Sequence, residues 1–281
     1  MIKIYTDSAA DITRKQAAEM SVGLIPLKIS FQGTTYYQED DEGFIGFYEL
    51  LKDSKYLPTT SQASPAEYMQ IFEDAKKNGD SVIIITISSK LSGTVLAAHV
   101  AKENCGYADI FIIDSLGAVI SQRILVEYAV TLRDRGLSAS EIYDKVMEAR
   151  LRVRLWAFVD TLEYLHKGGR LSKSAAFVGG VLNIKPIIHF SDGALAMTEK
   201  ARGVKSALRI IMEHIEEDGE RDEEVPVYFA YSGADTSVCE NFRKMVKEKF
   251  NCYGQMYPIG GVVGIHVGPN AMAIVYLQKK K

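Results

Sequence analysis

The sequence predicts an α/β protein in two parts. An N-terminal domain with a mostly parallel sheet covered by helices precedes a C-terminal α+β domain with a mixed or antiparallel sheet, and a ligand sits between them. Three observations carry this. Strand-like and helix-like segments alternate through the first half, and strands such as "VIIITI" (82–87) are apolar throughout, as strands covered on both faces are. In the second half hairpin signals replace the alternation, above all Ser191-Asp192-Gly193 between two alternating segments. No long linker, repeat or low-complexity stretch separates the halves, so they pack closely and the cleft between them is a natural ligand site. The division falls near residues 152–157, giving domains 1–155 and 156–281.

The elements follow in order. "IKIYTDS" reads as a strand ending in polar residues, "DITRKQAAEM" as a helix, and "VGLIPLKISF" as a second strand from which "GTTYY" returns as a hairpin arm. "GFIGFYELLKDS" reads as helical. In "SPAEYMQIFEDAKKNG", Ser64 is an N-cap, Pro65 occupies the first helical position and Glu67 completes a capping box. The strand at 82–87, a helix after Ser92, the strand "DIFIID", a helix over about 118–133 and "SASEIYDKVMEARLR" complete the first half. The second half reads as the strand "RLWAFVD", a small-residue helix "SKSAAFVGGVLN", the hairpin "KPIIHFSDGALAMTEKAR", an amphipathic helix "GVKSALRIIMEHIEE", the strand "VPVYFAYSG" and the helix "DTSVCENFRKMVKEKF". "GIHVGPNAMAIVYLQ" then reads as two strand pieces broken at Gly268-Pro269, with His266 ending the first.

A net charge of -3 gives no general electrostatic reason to bind nucleic acid or an acidic membrane face. The three cysteines, Cys105, Cys239 and Cys252, lie far apart and match no zinc or redox spacing, which suits a reducing cytoplasm. The first residues read as strand and loop rather than a signal peptide, and no apolar run approaches the roughly 18 residues that span a bilayer. A cytoplasmic location is expected.

In open α/β sheets ligands sit beyond the carboxyl ends of the strands. "TDSAAD" (6–11), "SSKLSGT" (88–94) and "DSLGA" (114–118) occupy such places. Capping alone accounts for the first and third about as well as ligand binding does. "SSKLSGT" has more hydroxyls than one cap needs, and Gly93 permits close backbone approach. It is neither a phosphate-binding P-loop nor a G-x-S-x-G nucleophile elbow. "PTTSQASP" (58–65) likewise carries Thr60, Ser61 and Gln62 ahead of a helix that Ser64 already caps. His266 is the one histidine set beside a Gly-Pro turn, and no metal spacing joins it to the others. A Ser92–His266 nucleophilic pair remains open on residue types, with Asp7 or Asp114 as the orienting acid. Arg170 after Gly168-Gly169, and Lys200 and Arg202 in "TEKARG", read either as solvated charge or as a basic rim.

Taken together, "TDSAAD", "TSQAS", "SSKLSGT", "DTLEYLHKGGRLS", "LNIKPI", "EKARG" and "GIHVGPNAMA" resemble, in order and from residue 6 to 273, the motifs of the DegV family, whose fatty acid-binding members are known as FakB. The resemblance implies a two-domain fold with a long-chain fatty acid buried in a tunnel and no cofactor or metal. It implies that Thr60, Ser92 and His266 hold the carboxylate, with Ser61, Gly93 and Thr94 as neighbours. It further implies that a separate ATP-dependent fatty acid kinase phosphorylates this carboxylate to an acyl phosphate for phospholipid synthesis. Arg170 and Arg202 would face that kinase or the phosphate, nucleic acid is no partner, and membrane contact is transient. The chain departs from the pattern in "DSLGAVISQ", where Val119, Ser121 and Gln122 replace a small Gly-rich continuation, and at Asn270, where the family usually has Gly. Two other readings stand beside this one: a serine hydrolase or acyltransferase using Ser92 and His266, and a regulatory lipid-binding module.

Overall fold

A computed structural model describes residues 1–37, 47–48, 51, 57–171 and 183–280. The expected helix "GFIGFYELLKDS" falls mostly outside these residues, and "SKSAAFVGGVLN" does so except for Asn183.

The first half is built on a parallel sheet of order β2-β1-β6-β7. Strand β1 is Ile2–Asp7, β2 Val22–Ile25, β6 Ser81–Thr86 and β7 Ile110–Asp114. The middle strand β6 is wholly buried from Val82 to Thr86, which is why its sequence is apolar without alternation. Helices α1 (Arg14–Glu19), α2 (Pro65–Asn78), α3 (Thr94–Cys105), α4 (Ile120–Asp134) and α5 (Ala139–Ala149) flank it. The Glu67 carboxylate accepts from the Ser64 N–H at 2.7 Å, the box that starts α2.

"VGLIPLKISF" is not one strand. It divides at Pro26, which cannot donate to a ladder, into β2 and β3 (Lys28–Phe31). Strand β3 leaves the parallel sheet and pairs antiparallel with β4 (Thr34–Tyr36) and with β5 (Thr59–Ser61). The hydroxyl-rich turn expected at 58–65 thus contains a strand, in which Thr60 lies opposite Ile29.

The second sheet has six strands in the order β10-β9-β8-β13-β11-β12, antiparallel except for the β11–β12 pair. It opens with β8 (Val153–Phe158), so the division expected at 155/156 falls inside that strand. Strands β9 (Ile184–Ser191) and β10 (Ala194–Arg202) form the expected hairpin, with Asp192 and Gly193 both at positive φ, as a tight two-residue turn requires. Strands β11 (Tyr228–Tyr231), β12 (Gln255–Pro258) and β13 (Met272–Leu277) complete the sheet; β12 carries no alternating signature and was not foreseen.

One face of this sheet packs Trp156, Phe158, Ile187 and Ile274 beneath helices α7 (Gly203–Asp218) and α8 (Ser237–Phe250). The other face turns Leu155, Ala157, Ile188, Leu195 and Ala273 into the core shared with the first half. Two short helices close the site, α6 (Glu163–Lys167) and α9 (Gly261–Val267). Among the described residues no helix is long and apolar enough to cross a membrane.

Candidate functional site: an apolar cavity with one polar end

A cavity of about 330 Å³ lies between the shared face of the second sheet and the loops at the carboxyl ends of the first. Its existence follows from side-chain size. Ala157 and Ala273 are directly paired across β8 and β13, and Ile188 lies opposite Ala157 on β9. Two adjacent alanines leave a trough in the sheet face, and Leu155, Val159 and Leu195 form its sides. From the first half, Leu27, Ile87, Ala118 and Val119 cover it.

The polar groups gather in a few segments. Strand β5 and the residue after it bring Thr60, Ser61 and Gln62; the loop before α3 brings Leu91, Ser92 and Gly93; α9 brings His266; and Arg170 follows α6. Among the described lining residues none is an aspartate or glutamate. The site is therefore apolar along most of its wall and receptive to an anion at one end. The N-terminus of α3, where the first N–H groups have no intrahelical acceptor, lies at that end. Gly93 lets the Gln62 side chain lie against it: a Cβ there would stand 2.1 Å from Gln62 Oε1, so a larger residue would push that amide aside.

His266 is not on a strand. The stretch 261–267 is helical, and His266 lies in its last turn. Glycines explain how this helix fits: a Cβ on Gly264 would meet Tyr48 Oη at 2.5 Å, and one on Gly261 would meet Ile29 Cδ1 at 2.8 Å. His266 Nε2 lies 3.4 Å from Thr60 Oγ1. Nδ1 is buried without a hydrogen-bond partner among the described residues, and Gly168 passes beside it, where a Cβ would come within 2.1 Å. Burial, reinforced by the Arg170 charge, lowers the imidazole pKa to about 4, so the ring is neutral at pH 7.

The other expected site residues divide into two groups. Thr60, Ser61, Ser92, Gly93, His266 and Arg170 line the cavity. Thr94 is fully buried behind it, with Oγ1 2.8 Å from Ser92 Oγ, and so orients Ser92. Arg202 ends β10 as an exposed residue and is not part of the lining. Arg170 is held by its own chain: Nε donates to Leu91 O at 3.2 Å and Nη1 to Gly168 O at 2.7 Å. Gln62, which with Thr60 and Ser61 precedes a helix that Ser64 already caps, lines the cavity as well.

The groups needed for a serine nucleophile do not assemble. Ser92 is paired with Thr94, and His266 faces Thr60. The Asp7 carboxylate accepts from the N–H groups of Ile87 at 2.7 Å and Ala9 at 3.1 Å and from Gln122 Nε2 at 3.2 Å. Asp114 Oδ1 accepts from Leu116 N at 3.0 Å and Ser89 N at 3.2 Å. Neither acid orients the histidine. Among the described residues no cluster of side chains is arranged to hold a metal ion.

Both departures from the motif pattern have structural reasons. Gln122 is fully buried, and its Nε2 also donates to Thr6 Oγ1 at 2.9 Å, joining α4 to β1. Asn270 has a φ of 60°, a conformation that glycine and asparagine both tolerate.

Comparison with known proteins agrees with this architecture. Residues 1–279 match the sequence model of the family described as "Uncharacterised protein, DegV family". A DegV domain-containing protein of Caldanaerobacter subterraneus is 34% identical, with 99% of each chain covered. Among solved structures, a DegV family protein from Thermus thermophilus described for its fatty acid binding superposes with a TM-score of 0.89 at 26% identity, covering 99% of both chains. A stearic acid-binding protein from Eubacterium ventriosum gives a TM-score of 0.86 at 27% identity, again over 99% of both. The chain belongs to the DegV family.

Proposed function

We propose that this protein is a cytoplasmic fatty acid carrier that buries a long acyl chain in the cavity and presents the carboxylate at its polar end. The observation that carries the reading is the amphipathic lining itself: an apolar trough over Ala157 and Ala273 that ends in Thr60, Ser92 and His266. The solved relatives described as fatty acid-binding support it. At about 0.8 kcal/mol per buried methylene, a 16-carbon chain offers roughly 10 kcal/mol before association costs. Affinity then resides mainly in the chain, and the polar groups position the head.

A carboxylate accepts about four hydrogen bonds. In this reading it takes them from Thr60, Ser92 and His266 Nε2–H, with Ser61 and the N–H groups at Gly93 as neighbours and Thr94 holding Ser92. Arg170 adds positive charge without closing over both oxygens. One oxygen stays available to attack the γ-phosphorus of ATP bound to a separate fatty acid kinase; the bond from that phosphorus to the β,γ-bridging oxygen breaks, ADP leaves, and the product is an acyl phosphate for phospholipid synthesis. Arg170 and the exposed Arg202 serve that encounter.

Native mass spectrometry of the protein, as purified and after incubation with stearate, tests the reading. One bound fatty acid per chain is expected. A protein that carries none and takes up none contradicts it.

A further inference from the structure

The two ring nitrogens of His266 face different surroundings, and the one that carries the proton decides what the ring can do. Nε2 lies 3.4 Å from Thr60 Oγ1, at the polar end of the cavity. Nδ1 is buried with no hydrogen-bond partner among the described residues. Gly168 stands beside Nδ1, close enough that a Cβ there would come within 2.1 Å of it. A proton on Nδ1 would therefore be a buried donor without an acceptor, which is costly. A proton on Nε2 has the Thr60 hydroxyl, or an anion, to receive it.

Arg170 strengthens this preference. Among the described lining residues it is the only one with a fixed charge. Its guanidinium is held twice, by Nε on Leu91 O at 3.2 Å and by Nη1 on Gly168 O at 2.7 Å. Gly168 thus touches the imidazole at Nδ1 and holds the guanidinium with its carbonyl, which brings the positive charge to the Nδ1 side of the ring. A neutral imidazole has its negative end at the nitrogen without a proton, so a cation on that side favours a bare Nδ1 and a protonated Nε2. Leu91 immediately precedes Ser92, so the same guanidinium also braces the loop that carries the serine. The brace needs the planar fork of arginine, whereas the effect on the ring needs only the charge.

We propose that Arg170 is a positioning residue that fixes the Nε2–H tautomer of His266, so that the ring presents a donor, not a lone pair, to an anionic head group. The inference rests on the fatty acid reading above. A carboxylate is an acceptor only, and a lone pair on Nε2 would repel it.

Nitrogen NMR of the full chain, stripped of lipid and labelled with isotopic histidine, reads the tautomer, because protonated and bare ring nitrogens resonate far apart. His266→Asn identifies the signals of this ring among the five histidines. At pH 7 the parent is expected to show the Nε2–H form alone. R170M, which removes the charge, is expected to raise the Nδ1–H share about tenfold and to move the ring's titration midpoint up by about one pH unit, the low end of what one nearby charge does. Its stearate affinity is expected to fall about tenfold by calorimetry. R170K keeps the charge and loses the fork, and is expected to keep the parent's tautomer and midpoint; a purely structural role would alter R170K and R170M alike. An Nδ1–H ring in the parent, a reading that needs no variant, overturns the proposal, and so does an R170M ring with the parent's tautomer and midpoint. A parent that takes up no stearate overturns the fatty acid reading instead, and the tautomer, read without ligand, tells the two failures apart.

Discussion

His266 is held neutral by the cavity around it, and this ties stability to pH in a definite direction. Its folded pKa of about 4 lies below the ordinary value of 6.5, so between these limits the unfolded chain binds more protons. The stability this group contributes is complete above about pH 6.5 and is lost as pH falls towards 4. Asp7 acts oppositely: burial raises its pKa to about 6, so its contribution is complete near pH 4 and is lost as pH rises through 6. The His266 effect therefore needs a difference measurement. Between pH 7 and pH 4 the parent should lose about 2 kcal/mol of urea-unfolding free energy relative to His266→Asn, a figure reduced for the ring's partial exposure. A parallel course of the two proteins with pH contradicts a neutral buried imidazole. Ser92 is expected to behave differently from the apolar lining. Ser92→Ala removes one hydrogen bond and should weaken stearate binding no more than about tenfold by calorimetry. Kinase-coupled phosphorylation of the bound acid should fall further, and unchanged turnover would remove Ser92 from the head-group role.

At the scale of elements, α9 and the turn after α6 form one unit around the histidine. Gly168 has an ordinary helical backbone, so alanine is tolerated there conformationally, but its Cβ would stand 2.1 Å from His266 Nδ1. Gly168→Ala should displace the ring and weaken stearate binding about tenfold while the circular dichroism spectrum is unchanged, since only the contact is altered. Unaltered binding would mean that the ring position does not matter. The same elements show what the sequence could reveal. The Ser64–Glu67 box, the Asp192-Gly193 turn and the uninterrupted apolar run of β6 are local signals, and each element formed where its signal lay. Residues 264–267 of α9 read from the sequence as a strand because Ile265 and Val267 favour extended backbone. Its glycines gain their meaning from Ile29 and Tyr48, more than two hundred residues away in the chain. Thr60, Ser92 and His266 could be named from motifs, but Gln62 and Val119 became lining residues only when the loops were brought together.

Across the whole molecule, the cavity lies at the junction that holds the halves together. Ser88 Oγ donates to Gly193 O at 2.7 Å at one point of this junction. At another, the Arg123 guanidinium lies 3.5 Å above the Tyr257 ring, bonds Glu127 at 2.7 Å and donates to Asp11 O at 2.9 Å. Tyr228 donates to the same Glu127 carboxylate. Arg123→Met leaves Glu127 without its counter-charge and should cost about 3 kcal/mol in urea unfolding, a loss that a surface pair would not show. If a fatty acid binds the folded protein only, then at a hundred times its dissociation constant it should stabilise the fold by about 2.7 kcal/mol, read as a rise in urea-unfolding free energy. The most direct measurement is a crystal structure of the protein with stearate. The expected density places the carboxylate within hydrogen-bonding distance of Thr60, Ser92 and His266, with the chain running over Ala157 and Ala273. An empty cavity, or a carboxylate at the opposite end, would contradict the account.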